Sequence, residues 1–224
     1  MFNNEQQMVS ACKEEPSMIF KVINKGYFEV IEKLVEDNSL DVNLVDGVGN
    51  DIVTRLLKAR QYDLVVHLMK KRNWNVNHKN LEGNTFGHVL AHDNSICAVK
   101  VVEQLNKKKN YIPNLKNNKG ETILDRALSC NYLCTAIKFI EDKRFTSIDV
   151  PTFKALCNAI IKSRDYGKYT KINTLEIIVE NLEKKDLEPG IAHLVENISE
   201  NMDGIKRDIM NNNSRVLDSL INQY

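Results

Sequence analysis

The sequence predicts an all-α fold, a helical repeat solenoid closed by a C-terminal helical cap or small bundle. Three observations predict it. Asp41-Val42-Asn43, Asn75-Val76-Asn77 and Ile112-Pro113-Asn114 recur at spacings of 34 and 37 residues. Gly49-Asn50-Asp51, Gly83-Asn84-Thr85 and Gly120-Glu121-Thr122 recur at the same two spacings. A period in this range marks stacked supersecondary units, none of which can bury its apolar face alone. Between these marks, apolar residues fall at helical steps, as at Leu64, Val65, Leu68 and Met69.

Four blocks align on this register. They begin at Ser17, Asp51, Thr85 and Thr122, and each of these residues is placed to cap a short first helix. Each block then reverses at a pivot, Gly26, Arg60, Asn94 or Asn131, spaced 34, 34 and 37 residues apart. Gly and Asn tolerate the left-handed backbone that such a reversal requires, whereas Arg60 predicts mild strain. A longer apolar-striped helix follows each pivot. The three extra residues of block three fall between Asn94 and Asn114 and lengthen its second helix or the loop after it.

Beyond residue 150 the register fades. Residues 151–185 read as a degenerate fifth pair or capping pair. One helix runs from Pro151 to Lys162 and another from Ile172 to Lys184, with a connector over 163–171. Residues 186–224 read as amphipathic helices. Ile191, Leu194, Val195 and Ile198 form a stripe that Met202, Ile205, Ile209 and Val216 extend if Asn212 takes a core position. That run is either a weak heptad seam for self-association or two short helices packed on the array. Gly204 and the polar run 211–214 favour packing.

The blocks resemble ankyrin repeats over residues 15–150. Gly83-Asn84-Thr85-Phe86-Gly87-His88 is similar to that family's opening, Lys25-Gly26-Tyr27-Phe28 to its pivot, and Leu40-Asp41-Val42-Asn43 and Trp74-Asn75-Val76-Asn77 to its ending. No block carries the family's opening Pro, and its His survives only as His88. The resemblance implies a protein–protein interaction module acting as adaptor, inhibitor or sequestering protein through a concave face. Its loops, here 44–48, 78–82 and 115–119, project as fingers. The implied partner-binding residues are Leu44, Val48, Arg55, Lys58, His78, Leu81, Glu82, His92, Leu115, Lys116, Lys119 and Arg126. Leu44 and Leu115 either meet the partner or fill the core of their own finger. The divergent repeats and the tail fit a host-directed bacterial or viral effector. A homo-oligomeric assembly protein using the C-terminal helices, or an enzyme with its site in 151–224, is the alternative.

Composition narrows the remaining classes. Hydrophobic residues make up 42% and charged residues 27% of the 224, the balance of a folded chain. A net charge of +1 argues against nucleic acid as the partner. The basic runs at 70–72 and 107–109 fall at predicted helix C-termini, where cations complement the dipole. Five cysteines without a paired framework, and an N-terminus without the pattern of an export signal, predict a cytoplasmic protein, in the producing cell or in a host. No apolar run is long enough for a membrane span.

No catalytic constellation stands out, and the sequence implies no cofactor and no metal. His88 and His92 share a predicted helix without further ligands at zinc spacing. Cys130 and Cys134 read as small buried hydrophobes rather than a redox pair. Trp74 reads as packing at the end of a helix pair rather than as a binding hot spot.

Overall fold

The computed structural model describes residues 5–71 and 73–224. Among them it forms fourteen helices, and the β structure is one isolated antiparallel bridge between Val45 and Asp51. Residues 1–4, part of the segment read for an export signal, and Arg72, the third member of the first basic run, lie outside the described residues. The chain divides into two compact units.

One unit comprises the chain up to Leu90 together with Ser95–Tyr111 and Lys116–Gly120. Its helices are α1 (Glu5–Glu14), α2 (Met18–Lys25), α3 (Phe28–Glu36), α4 (Ile52–Lys58), α5 (Tyr62–Met69), α6 (Phe86–Leu90) and α7 (Ile96–Asn106). α2 packs on α3, α4 on α5 and α6 on α7. α4 packs on both α2 and α6, and α5 packs on α7. Ile19, Ile31, Leu34, Ile52, Leu56, Leu68, Phe86 and Leu90 are almost fully buried. Each such side chain contributes about 1.5–3 kcal/mol over its exposed state. α1 buries Met8, Val9 and Cys12 and packs on α2 and α3, covering the first pair. The repeat register does not extend to this helix.

Two pivots of this unit share one geometry. Gly26 and Arg60 have φ of 77° and 58°. The residue after each donates its N–H back into the first helix, Tyr27 to Val22 O at 3.2 Å and Gln61 to Leu56 O at 3.0 Å. This left-handed closure satisfies carbonyls that a helix end leaves free. The third pivot departs from it: Asn94 is not left-handed. α6 stops at Leu90, and α7 is capped instead by Ser95, whose hydroxyl accepts the Ala98 N–H at 3.1 Å. The three extra residues lengthen α7, which has 11 residues where α5 has 8.

Asp51 caps α4 by accepting the Thr54 N–H at 2.7 Å. At the start of α6, Thr85 donates its N–H to His88 Nδ1 at 3.2 Å. Ser17 does not cap. It is already helical, and its hydroxyl bonds Glu15 at 2.7 Å. Trp74 is buried, donates its indole N–H to Asp51 Oδ2 at 2.9 Å and meets Phe86 edge-on at 5.1 Å.

The other unit comprises Ala91–Asn94, Ile112–Leu115 and Glu121–Tyr224. It holds α8 (Ile123–Ser129), α9 (Leu133–Ile140), α10 (Val150–Lys162), α11 (Lys168–Glu183), α12 (Pro189–Glu200), α13 (Met202–Met210) and α14 (Arg215–Asn222). Thr122 and Asp125 close a reciprocal capping box on α8. Asn131, at φ 58°, repeats the left-handed pivot, and Tyr132 donates to Ala127 O at 2.9 Å. α10 packs on α8 and α11 on α9. α11 starts at Lys168, so the expected connector over 163–171 shrinks to 163–167.

The tail packs inside this unit. Ile191, Leu194, Val195, Ile198, Ile205 and Ile209 are buried, and α12 and α13 both lie on α11. The continuous heptad seam does not form, because Asn212 sits exposed at φ 56° between α13 and α14. Gly204 lies inside α13 and breaks nothing. The interruptions fall at Asn201 and at 211–214.

The asparagines that end the blocks are structural. Asn43 donates to Asn73 O at 2.8 Å and accepts from Asn75 N–H at 2.8 Å. Asn77 donates to Asn110 O at 2.7 Å. In the second unit Asn114 donates to Arg144 O at 2.9 Å and accepts from Thr146 N–H at 2.9 Å. Each carboxamide thus satisfies backbone groups in the loop about one period downstream.

Candidate binding surface

Three loops of the first unit, residues 44–50, 78–84 and 116–120, repeat one local design. A short polar side chain brackets each tip. Asp46 Oδ1 accepts the N–H groups of Val48 at 3.0 Å and Asn50 at 2.9 Å. Asn80 Oδ1 accepts those of Glu82 and Asn84, both at 3.0 Å. Asn117 Oδ1 accepts that of Lys119 at 3.0 Å. Such side-chain turns are what Asp and Asn supply best. Each tip ends on a left-handed glycine, Gly49, Gly83 or Gly120, with φ of 80°, 75° and 78°.

The loops are joined side by side. Leu81 N–H donates to Val48 O at 3.1 Å, and Asn118 N–H donates to Glu82 O at 3.0 Å. Asn118 Nδ2 also reaches Leu81 O at 2.9 Å. Asn80 Nδ2 donates to Asn50 Oδ1 at 3.0 Å, and Asn117 Nδ2 to Asn84 Oδ1 at 2.9 Å. His78 Nε2 lies 2.8 Å from Gly49 O, and because a carbonyl only accepts, that nitrogen carries the proton. Lys79 Nζ donates to Lys116 O at 2.7 Å. The backbone of these tips is therefore fixed by bonds within the chain.

On this fixed backbone some candidate residues face solvent and others do not. Val48 is 54% exposed and Leu81 72% exposed. Val45, which the sequence did not single out, is 42% exposed. Glu82, Lys116 and Lys119 are exposed around them, and Glu82 accepts from Asn84 Nδ2 at 2.7 Å. Lys58 is exposed and donates to Asn50 Oδ1 at 3.3 Å. Leu44 turns inward instead, lining a cavity of about 180 Å³ with Cys12, Pro16, Ile19 and Leu34. Arg55 is committed internally: Nε lies 3.4 Å from Asp46 Oδ2, and a terminal nitrogen bonds Asn24. It braces the first tip. His78 and Leu115 are half-buried.

The two remaining candidates, like Leu115, belong to the second unit. Arg126 is half-buried and pairs with Glu121 at 3.3 Å. His92 is exposed, and its Nδ1 lies 3.1 Å from Cys130 Sγ. His88 and His92 do not share a helix, because α6 ends before His92, and His88 is buried. Cys130 and Cys134 are not core residues: the first is half-buried and the second exposed. Burial does push the Cys157 thiol up to about 12.

The basic runs sit where helices end. Lys70 caps α5 and Lys107 caps α7. Lys71 donates to Asn38 Oδ1 at 2.7 Å, and Lys108 lies 5.9 Å from the Trp74 ring centre, its pKa lowered by burial. Among the described residues, no group of three or more His, Cys, Asp or Glu is placed to hold a metal ion. No helix among them is long and apolar enough to cross a membrane.

The tip residues missed in the sequence were within reach of the register that revealed the blocks. Asp46, Asn80 and Asn117 are themselves 34 and 37 residues apart. In comparison with known proteins, no family model matches the chain and no curated protein matches it.

Proposed function

We propose that the chain is a protein–protein recognition module, an ankyrin-like helical repeat solenoid that acts as adaptor, inhibitor or sequestering protein. The shared left-handed pivots, the paired short helices and the bracketed loops support the architectural part of this reading. The recognition part rests on one observation: Val48 and Leu81 stand exposed on adjacent tips already joined by the Leu81 N–H to Val48 O bond.

Exposed apolar side chains among charged neighbours match the anatomy of an interface, an apolar centre within a polar rim. Fixing a mobile loop costs about 1–2 kcal/mol per residue in backbone entropy, and these tips have met that cost in folding. A partner with an apolar contact for Val48 and Leu81, and polar groups for Glu82, Lys116 and Lys119, fits the surface.

The test is capture from a eukaryotic lysate, comparing the wild type with the double variant Val48→Asp and Leu81→Asp. Both positions face water, so the variant keeps its circular dichroism and its stability to within about 0.5 kcal/mol. The expected result is a protein retained by the wild type and lost by the variant. Equal capture by both removes the tips from the interface.

A further inference from the structure

Outside the finger tips, the second unit brings a thiol and an imidazole into direct contact. Cys130 follows the last residue of α8, and its Sγ lies 3.1 Å from His92 Nδ1 across 38 residues of sequence. Both side chains reach water, His92 exposed and Cys130 half-buried. Arg126, one turn before Cys130 on α8, is held by Glu121.

We infer that Cys130 is a base-assisted nucleophile, a site of covalent modification by α,β-unsaturated carbonyl compounds. Only the thiolate is a strong sulfur nucleophile, and a thiol near neutral pH is mostly protonated. Here the sulfur lies within hydrogen-bonding distance of an imidazole nitrogen. With Nδ1 accepting, the ring proton sits on Nε2. Partial desolvation, and then the Arg126 guanidinium, lower the pKa of His92, with Glu121 opposing them. The imidazole is thus neutral and able to accept a proton at pH 7.

The step balances without a further reagent. His92 Nδ1 takes the thiol proton as Sγ attacks the β-carbon. The S–C bond forms, and the π pair of the C=C bond moves onto the α-carbon. That carbon then takes the proton back from His92. The C-terminus of α8 disfavours a standing thiolate beside it, so the base works during the attack rather than by maintaining an ion pair. The other cysteines lack this arrangement. Cys12 and Cys157 are buried, half-buried Cys97 has no imidazole bonded to its sulfur among the described residues, and exposed Cys134 has Tyr166 O–H at 3.4 Å, which is no base at neutral pH.

The chain therefore carries its own controls. The full-length protein is treated with N-ethylmaleimide at pH 7, and the rate at each cysteine is read by peptide mass spectrometry. Cys130 is expected to react about tenfold faster than Cys134, although it is the less exposed of the two. His92→Gln is expected to bring the two rates together while leaving Cys134 unchanged. Continued protection of Cys157 reports that the variant is folded. Equal rates at Cys130 and Cys134 in the wild type overturn the inference, and this comparison needs no variant. A folded His92→Gln protein that keeps the fast Cys130 rate overturns it as well.

Discussion

Asp51 uses its two carboxylate oxygens for different tasks, and its removal has a calculable cost. Oδ1 caps α4 through the Thr54 N–H at 2.7 Å, and Oδ2 accepts the Trp74 indole N–H at 2.9 Å, all at a residue only 2% exposed. Loss of an N-cap costs about 1 kcal/mol. Leaving a buried indole N–H without a partner costs about 1–3 kcal/mol more. Asp51→Ala is therefore expected to lose about 2–4 kcal/mol, or about 4–16 °C in Tm at this chain length. Asp51→Asn has a single acceptor oxygen for two donors and falls between the two. Urea unfolding read by far-UV circular dichroism measures both. The Trp74 share is isolated by repeating Asp51→Ala in a Trp74→Phe background, which keeps the ring but has no N–H. The two changes are expected to be non-additive by about 1–2 kcal/mol, because they remove the same bond. Additive effects would falsify the double role, and an Asp51→Ala protein within about 0.5 kcal/mol of wild type would refute the cap as well.

Two further predictions follow from local geometry. A Cβ on Gly83 would lie 2.3 Å from Asn118 Oδ1 and 2.6 Å from Asn118 N, whereas one on Gly120 meets nothing within 4 Å. Both residues have positive φ, so Gly120→Ala costs about 1 kcal/mol of backbone strain, and Gly83→Ala costs that plus separation of the second and third loops. Denaturant midpoints that fall equally for the two variants would contradict the side-by-side loop packing. Burial lowers Lys185 to about 8 from its usual 10.5, with the Asp142 carboxylate opposing. Between those values the unfolded chain holds a proton that the folded chain has shed, so this group adds stability as pH rises through the window. The wild type, compared with Lys185→Met, is therefore expected to gain at pH 10 over pH 7.5, and an unchanged difference sinks the assignment.

Much of the helical framework was legible because it follows from periodic local rules. Thr122 ahead of a helical stripe reads as a cap, and Asn131 at the alignment pivot reads as a left-handed turn. Both take those forms. Asn94 sits at the same register and fails, because Ser95 beside it caps α7 and removes the need for a left-handed residue. The fate of exposed loop residues was less legible. Leu44 and Val48 are both apolar residues in a polar loop, yet one lines a cavity and the other faces water. Their difference arises from the turn that Asp46 brackets, not from their own chemistry. The meeting of His92 and Cys130 was invisible for a related reason. It depends on α6 ending at Leu90, which releases His92 from the helix on which the sequence had placed it.

The three tips can be compared with one another inside a single chain, and the comparison separates scaffold from surface. At the bracketing position stand Asp46, Asn80 and Asn117, all short side chains that accept backbone N–H groups. At the closing position stand Gly49, Gly83 and Gly120, all left-handed. Between these fixed points the equivalent residues diverge: Gly47, Leu81 and Asn118 at one position, and Val48, Glu82 and Lys119 at the next. A position whose residue must complete a turn has few chemical solutions. A position that only presents a side chain to water has many, and here those positions carry a small residue, apolar groups, an amide and both signs of charge. Asn118 is the exception that fits the same logic, since its side chain ties its tip to Leu81 O. In the proposed recognition role, specificity then belongs to Val48, Leu81, Glu82 and Lys119, while the repeated asparagines and glycines hold them at fixed spacing.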